Sequence, residues 1–464
     1  LETFTGVLEM AEDEKLTNIK PDLIDVTDVT CPFCGNLCDD IHIKRMGDDE
    51  AEIHHACGIG YFKFKKSITK SAPRKNLLRK KSGDKKAPDD TFNEAKLDEC
   101  IDKAADLLLA AKKPVLFGWA STSVEATREG IALAEEIGGV IDQTSSVCHG
   151  PSTLAVQDVG ISSCTLGTVL NHADLIIYWG CNPSEAHLRH MSRYTLYPRG
   201  AFREKGRQDR EVVVVDVRET ASTSVATQFI KVDPNADYEL IHALRLAMKG
   251  EELPDEIPGT GVIKKKVMKL AQRLKRTKFC AFFFGLGLTM TRGRHRNIDA
   301  ILSLGAELNK DTKVVIRPMR GHYNVTGAAE VFTWQTGYPF AVDLTRGYAR
   351  YNPGETSLVD LLMRDDADCL FIVASDPVAH LPKEAARRFS NMPVIVIDPH
   401  ETITSKFADV YLPCAVTGVE AEGTAYRMDG VPIRLKKVIN SDVPSDTDIV
   451  AKILERVKEK RGGK

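Results

Sequence analysis

The sequence predicts an α/β protein with two pseudo-symmetric, doubly wound, dinucleotide-binding-like domains, on three grounds. The chain has 464 residues, 43% of them hydrophobic, which suits two or three packed cores better than one. Short apolar strand-like runs alternate with helical periodicity at the spacing of crossover units. The strand patterns of one half also return in the other, as an internal repeat does.

Taken in order, an acidic extension runs to about Asp25, a cysteine-rich module follows, and a basic stretch spans residues 63–86. That stretch has no interleaved aromatic residues, so it reads as a solvated linker with at most one cofactor-facing lysine. Leu97, Ile101, Ala105 and Leu108 then recur at helical spacing, and Pro114–Gly118 follows as a short buried strand. A second helix over residues 124–137 leads to a strand over residues 139–142, completing a crossover unit of a parallel sheet.

The repeat rests on two pairs of segments. ADLIIYWGCNPSEAHL begins at Ala173 and ADCLFIVASDPVAHLP at Ala367; each opens on Ala-Asp, runs through an apolar strand to Asn182-Pro183 or Asp376-Pro377, and reaches His187 or His380. VVVVDVRET ends at Thr220 and VIVIDPHET at Thr402, with Asp216 and Asp398 closing the strands. An acid at the C-terminal end of a parallel strand is where doubly wound sheets hold a ribose or purine edge, so two such acids suggest two nucleotide-like ligands. A strand-ending Asp also serves as a helix cap, and that reading stays open.

Two segments carry candidate chemistry. Residues 31–40 read CPFCGNLCDD, and Cys57 follows, so Cys31, Cys34, Cys38 and Cys57 form a tight three-cysteine loop closed by one distant cysteine. This spacing suits a four-iron, four-sulfur cluster; a structural zinc site, with His54 and His55 nearby, is the alternative. In the second segment, Gln143 to Ser152, Cys148 and His149 come after a strand and just before Pro151, a residue suited to the first turn of a helix. A cysteine there is expected to favour thiolate, and its histidine neighbour to move a proton at neutral pH. A buried cysteine beside an ordinary histidine is the simpler alternative.

Composition excludes other classes. Sixty-three Lys and Arg against 65 Asp and Glu leave no field for gathering nucleic acid or anionic membrane. The longest apolar run, residues 279–288, is too short to span a bilayer. Eleven cysteines without a visible secretory leader fit a reducing, cytoplasmic setting. Cys100, Cys164, Cys181, Cys280, Cys369 and Cys414 show no ligand spacing and read as small buried side chains. No GxGxxG fingerprint for nicotinamide nucleotides opens a helix.

Together, the CxxCxxxC loop, Cys148-His149-Gly150, the WGCNP turn at Trp179, Asp216, Asp398 and EGTAYRMDG from Glu422 resemble the bis(molybdopterin guanine dinucleotide) oxidoreductases, over roughly residues 30–433. Within them, RPMRGHYNVTGA at residues 317–328 is similar to a formate dehydrogenase motif, placing an arginine at Arg320 and His322 where that motif has glutamine. The CPFCGNLCDD wording and the chain's stopping soon after the EGT motif are most similar to the catalytic subunits of formylmethanofuran dehydrogenases.

The resemblance implies a four-iron, four-sulfur cluster on the four loop cysteines, two molybdopterin guanine dinucleotides, and tungsten or molybdenum bound by Cys148. It implies Cys148, His149 and Arg320 as catalytic residues and Asn182, Asp216, His322, Asp398 and Gly423 as cofactor contacts. The domains it implies are an extension over 1–25, an iron–sulfur module over 26–75, a first discontinuous α/β domain over 76–147 and 325–464, and a second over 148–324. The C-terminal β-barrel lid of most relatives is expected to come from a separate small subunit. The expected reaction is reversible two-electron reduction of carbon dioxide to formate. An amidohydrolase-type subunit would pass the formyl group on, and polyferredoxin-like subunits would deliver electrons. A formate dehydrogenase of another complex and a non-catalytic electron-relay relative are the alternatives. Relatives often carry a lysine two positions after the fourth cluster cysteine; here that position is Ile59, with Lys63 as a substitute.

Overall fold

A computed structural model of the chain describes residues 24–45, 51–69, 74–80, 86–87 and 89–463. The expected N-terminal extension therefore lies outside the described residues except for Ile24 and Asp25, which open a strand.

The fold is mixed α/β, organised around two sheets. One is wholly parallel, in the order Gln228–Lys231, Glu211–Asp216, Leu175–Trp179, Phe279–Phe284, Lys313–Pro318. Its strands are almost continuously apolar because helices cover both faces: Val212 to Val215 and Leu175 to Trp179 are all buried. The other sheet has nine strands. Five parallel ones form its centre, Val140–Gln143, Pro114–Gly118, Cys369–Val373, Val394–Ile397 and Val410–Leu412. Short antiparallel strands cover its edges: Val342–Asp343 and Arg350–Tyr351 on one side, Leu77–Arg79 and Phe92–Glu94 on the other.

The helix Leu97–Ala110 turns Ile101, Ala105 and Leu108 inward, as its periodicity predicts. With Val124–Ile137 and Asp446–Gly462 it shares one core, in which Ile131, Ala134, Ile449, Ile453 and Val457 meet the sheet residues Phe371 and Ile395. Each such branched or aromatic side chain contributes about 1.5–3 kcal/mol on burial, against about 0–1 kcal/mol for an exposed ion pair, so the sheets and their helices dominate the assembly.

The sequence echo has a structural cause. Asp174 and Asp368 each begin the middle strand of their sheet, and each carboxylate accepts two main-chain N–H groups where the neighbouring strand starts. Asp174 takes those of Lys278 and Phe279 at 2.9 and 3.1 Å, and Asp368 those of Lys112 and Lys113 at 2.7 and 2.9 Å. At the far end of the same strands, Asn182 accepts the Ser222 hydroxyl at 2.5 Å and Asp376 the Thr404 hydroxyl at 2.6 Å. Those hydroxyls in turn accept the N–H of Ser184 and of Val378, at 3.2 and 3.0 Å. The repeated polar residues thus pin corresponding loops in both halves.

At the N-terminus, Ile24–Val29, Ile41–Arg45 and Ala51–His54 form an antiparallel sheet next to the helix Gly58–Ile68. Their core, Val29, Ile41, Ile43, Phe64 and Ile68, extends to Val419 and so docks the module on the C-terminal part of the chain. Among the described residues of the basic stretch after it, three of the charged side chains are held by the rest of the chain and not by solvent alone. Arg74 donates to the Cys414 carbonyl at 2.7 Å, Arg79 to the Ala408 carbonyl at 2.9 Å and Lys86 to Asp409 at 2.8 Å, while Leu77–Arg79 joins the nine-stranded sheet. The positive charges at Arg74, Arg79 and Lys86 anchor a sheet edge, a role that composition alone does not distinguish from solvation.

Candidate active site

A cleft of about 820 Å³ lies where the C-terminal ends of both sets of parallel strands meet. Pockets for drug-sized ligands span about 300–1,000 Å³, so there is room for a large organic ligand. Its walls are the loops following the strands: Cys148 and His149, Gly180 to Asn182, Gly285 and Leu286, Met319 and Gly321 to Tyr323, Ala374, Asp398 to His400, and Cys414 to Thr417. This is the position at which doubly wound sheets bind ligands. Pro32 and Phe33 of the cysteine loop, with Lys63, Lys66 and Ser67 of the following helix, close one side.

The Cys148 loop is built on Asp142. This wholly buried carboxylate accepts the N–H of Gln143 at 2.8 Å, of Ala341 at 3.1 Å and of Leu358 at 2.9 Å, and the Ser146 hydroxyl at 2.8 Å. The Gln143 side chain caps the 3-10 turn Thr144–Val147, and the Cys148 N–H closes that turn on the Ser145 carbonyl at 3.0 Å. Pro151 then starts the helix Gly150–Val159. The expected thiolate does not follow: burial pushes the Cys148 thiol up to about 11, outweighing the pull of Arg320. A free thiol at this site stays protonated until a cation binds it.

His149 is 1% exposed; its Nδ1 meets the Ser152 hydroxyl at 3.1 Å, and its Nε2 is buried without a partner. Burial, aided by the Arg320 charge, pushes the ring down to about 3, so it is neutral throughout the physiological range. The neutral ring can donate one hydrogen bond and accept another here. Arg320 follows the strand Lys313–Pro318, and burial with the nearby Arg317 charge lowers it to about 10. Its Nη1 donates to Thr326 at 3.1 Å and its buried Nε has no partner. Cys148, His149 and Arg320 are close enough for each pair involving Arg320 to feel the other's charge. Orphaned donors cost free energy when buried, so this cluster is built to meet something other than the protein.

The four loop cysteines also converge. The Cys31 N–H donates to the Cys38 carbonyl at 2.8 Å, closing the loop, and Cys57 caps the helix Gly58–Ile68 through the Gly60 N–H at 3.4 Å. A Cβ on Gly60 would lie 3.3 Å from the Cys31 sulfur and 3.8 Å from that of Cys57. Burial first, and then neighbouring cysteines, raise Cys31 well above the usual thiol range and Cys38 to about 12, while burial raises Cys34 to about 11. Among the described residues, no three His, Cys, Asp or Glu side chains come close enough together to hold a single ion. The Asp39-Asp40 pair beyond the loop is clasped by Arg189 and Arg193, with Arg189 bidentate on Asp40 at 2.6 and 2.7 Å.

Asn182, Asp398 and His322 line the cleft, His322 meeting the Ser121 hydroxyl at 2.9 Å. The Asn182 Nδ2 is buried without a partner. Asp398 is pushed up to about 7 by burial and by Asp376 and Asp446. Asp216 and Gly423 stand outside these walls: Asp216 accepts the Val217 N–H at 2.8 Å, and Gly423 packs where a Cβ would lie 2.6 Å from that of Ser123. Lys63 lines the cleft, lies 5.3 Å from the centre of the Phe33 ring and acts electrostatically on Cys34. Sequence reasoning did not single out Lys66, His187, His400 or Asp446 as cleft residues. Cys181 and Cys414 are buried as read yet contribute to the cleft wall, and Cys164 is only partly buried.

The fold is shared with known proteins. Residues 86–456 match the molybdopterin oxidoreductase family, and the chain belongs to it. More particularly, it is 48% identical over 94% of its length to the B subunit of tungsten-containing formylmethanofuran dehydrogenase 2 from Methanocaldococcus jannaschii, covering 99% of that protein. It is 44% identical, over 93% of its length and 98% of the relative, to the protein of the same name from Methanococcus maripaludis. Among solved structures, the formyltransferase/hydrolase complex of Methylorubrum extorquens, crystallised with methylofuran, has a chain with a TM-score of 0.66 and 21% identity. That match covers 80% of this chain and 98% of the other. Acetylene hydratase of Pelobacter acetylenicus has a TM-score of 0.68 at 13% identity, over 94% of this chain and 70% of its own. These structural likenesses show the shared fold. The chain is an oxidoreductase of the molybdopterin type.

Proposed function

We propose that the chain is the catalytic subunit of a formylmethanofuran dehydrogenase, reducing carbon dioxide reversibly to formate with two electrons and one proton. The observation that carries this reading is the placement of Cys148 and His149 in a cleft bounded by both sheets and by the cysteine loop, with Arg320, whose buried Nε has no partner, next to them between the cleft residues Met319 and Gly321. The 48% identical relative, named as tungsten-containing, supports the choice of metal and of reaction.

The donor set fits the cofactor. Cys148 Sγ would hold tungsten or molybdenum, and Asn182, His322 and Asp398 would hold the arms of two molybdopterin guanine dinucleotides, with Asp216 and Gly423 supporting the outer ends of those sites. The bound metal and its dithiolene sulfurs supply the two-electron chemistry. The protein's part is placement. The planar Arg320 guanidinium fits a carboxylate edge and favours the charge that appears as carbon dioxide becomes formate. His149, neutral and held by Ser152, orients the substrate by hydrogen bonding in a site shielded from water.

Cys31, Cys34, Cys38 and Cys57 would hold a four-iron, four-sulfur cluster. Cys31 is near enough to Cys34, Cys38 and Cys57 to interact with each, and a quartet of thiols suits a polynuclear group whose irons each take one thiolate. Lys63, between Cys34 and the cleft, takes the bridging place that Ile59 cannot. Among the described residues no helix is long and apolar enough to cross a membrane. The working complex would be cytoplasmic, adding a small β-barrel subunit over the cleft, an amidohydrolase-type subunit and polyferredoxin-like electron donors. A Cys148→Ala complex is expected to keep its iron and lose formate-dependent viologen reduction; full turnover in that variant would refute the assignment.

A further inference from the structure

Of the two histidines in the echo, His187 is 2% exposed and His380 lies at the surface. The cofactor contacts proposed above use neither. The His187 Nε2 lies 2.8 Å from the main-chain carbonyl of Arg320, and since a carbonyl can only accept, the proton is on Nε2. The cysteine loop grips the same segment from the other side. The Gly35 N–H donates to the Gly321 carbonyl at 3.1 Å, and a Cβ on Gly35 would stand 2.3 Å from the Arg320 carbonyl oxygen. Asn36, 1% exposed, joins the two grips: its Nδ2 donates to the His187 carbonyl at 3.5 Å and its Oδ1 faces His190 Nδ1 at 3.2 Å.

We infer that His187 is a positioning residue, which with Gly35 and Asn36 ties the cysteine loop to the Arg320 backbone and fixes where the guanidinium points. The inference rests on the reading of Arg320 as the substrate-facing group. The contact is to the main chain, so it acts on the direction in which the side chain leaves the loop and leaves its charge unaltered. Main-chain placement matters in a site of this kind because small displacements of a charge-stabilising group cost rate steeply. The arrangement also makes the cysteine loop and the substrate arginine one mechanical unit.

The test uses the whole complex carrying His187→Leu, His187→Gln, Arg320→Lys, or His187→Leu with Arg320→Lys. Readouts are kcat/KM and KM for formate-dependent viologen reduction, iron content, and the low-temperature EPR signal of the reduced cluster. With iron unchanged, H187L is expected to lower kcat/KM about tenfold, as loss of a buried hydrogen bond on a positioned loop would. H187Q, whose amide nitrogen reaches the Nε2 position, should recover most of that. In the R320K background H187L should cost little more, since the two act as a unit. Equal losses from H187L in both backgrounds, or a Gln variant as impaired as Leu, would overturn the inference. Should H187L not assemble, Gly35→Ala displaces the same carbonyl from the cysteine loop. Its kcat/KM should fall comparably and only when Arg320 is present; full kcat/KM in G35A overturns the inference. R320K with undiminished turnover would instead refute the reading of Arg320 itself.

Discussion

Asp142 offers the sharpest test of how the Cys148 loop is held. Asp142→Ala removes the acceptor for three main-chain N–H groups and one hydroxyl, all in the buried interior between Gln143, Ser146, Ala341 and Leu358. An unsatisfied buried donor costs about 1–3 kcal/mol, and Ser146 can turn elsewhere, so three stranded amides imply a loss of about 3 kcal/mol or more. Asp142→Asn should be milder. Its oxygen can keep the Gln143 and Ala341 donors, and its Nδ2 can donate to Ser146, leaving only the Leu358 N–H facing another donor, a cost of about 1–3 kcal/mol. Denaturant unfolding of the purified protein, followed by tryptophan fluorescence and circular dichroism, should rank wild type above D142N and D142N above D142A. Because the same contacts shape the turn leading into Cys148, heavy-metal content should fall in that order too. A D142A protein within about 1 kcal/mol of wild type, or D142N as damaged as D142A, would refute this account of the loop.

Three further outcomes follow from the same structure. Asp398 carries a folded-state pKa of about 7 against 3.8 for the ordinary group, so the folded chain keeps a proton that the unfolded chain releases. Its contribution to stability is therefore greatest below pH 4, declines as pH rises through the window between those values and is flat above it. Asp398→Asn should flatten that decline, and melting scans between pH 5 and 8 showing an unchanged slope would count against it. Gly118 has a φ of 131°, and a Cβ there would lie 1.9 Å from the Val373 carbonyl oxygen across the sheet. Gly118→Ala should cost at least about 2 kcal/mol through backbone strain and displacement of the central strand pair, seen as little soluble protein; a normal melting temperature would contradict this. Asp174→Ala should weaken its sheet by about 1–2 kcal/mol and Asp368→Ala, at an exposed site, by less, and hydrogen exchange should quicken at Phe279 in the first and at Lys113 in the second.

Much of the architecture was legible because it is carried by local pattern. The helix over residues 124–137 and the strand Pro114–Gly118 stand where periodicity and apolar runs put them. The echo was visible because Asp174 and Asp368 perform the same task at the same place beside their strands, as do Asn182 and Asp376. What could not be read was long-range. The basic stretch looked like a solvated linker because the partners of Arg74, Arg79 and Lys86 lie more than 300 residues away, at Cys414, Ala408 and Asp409. Proton affinities at the site were not legible for a related reason: a helix start is visible in sequence, whereas the burial that raises Cys148 and lowers His149 is not. The grip of His187 on the Arg320 carbonyl spans 133 positions and involves no distinctive residue on the accepting side.

On the function proposed above, one chain holds both a heavy-metal pterin centre on Cys148 and an iron–sulfur cluster on the four loop cysteines. Elemental analysis of the complex purified without oxygen tests it most directly, provided that wild type is compared with Cys148→Ala and Cys34→Ala. Relative to wild type, C148A should lose tungsten or molybdenum with iron retained, and C34A should lose about four irons per copy of this chain. Heavy metal retained in full by C148A, or zinc in place of iron at the loop cysteines, would contradict it.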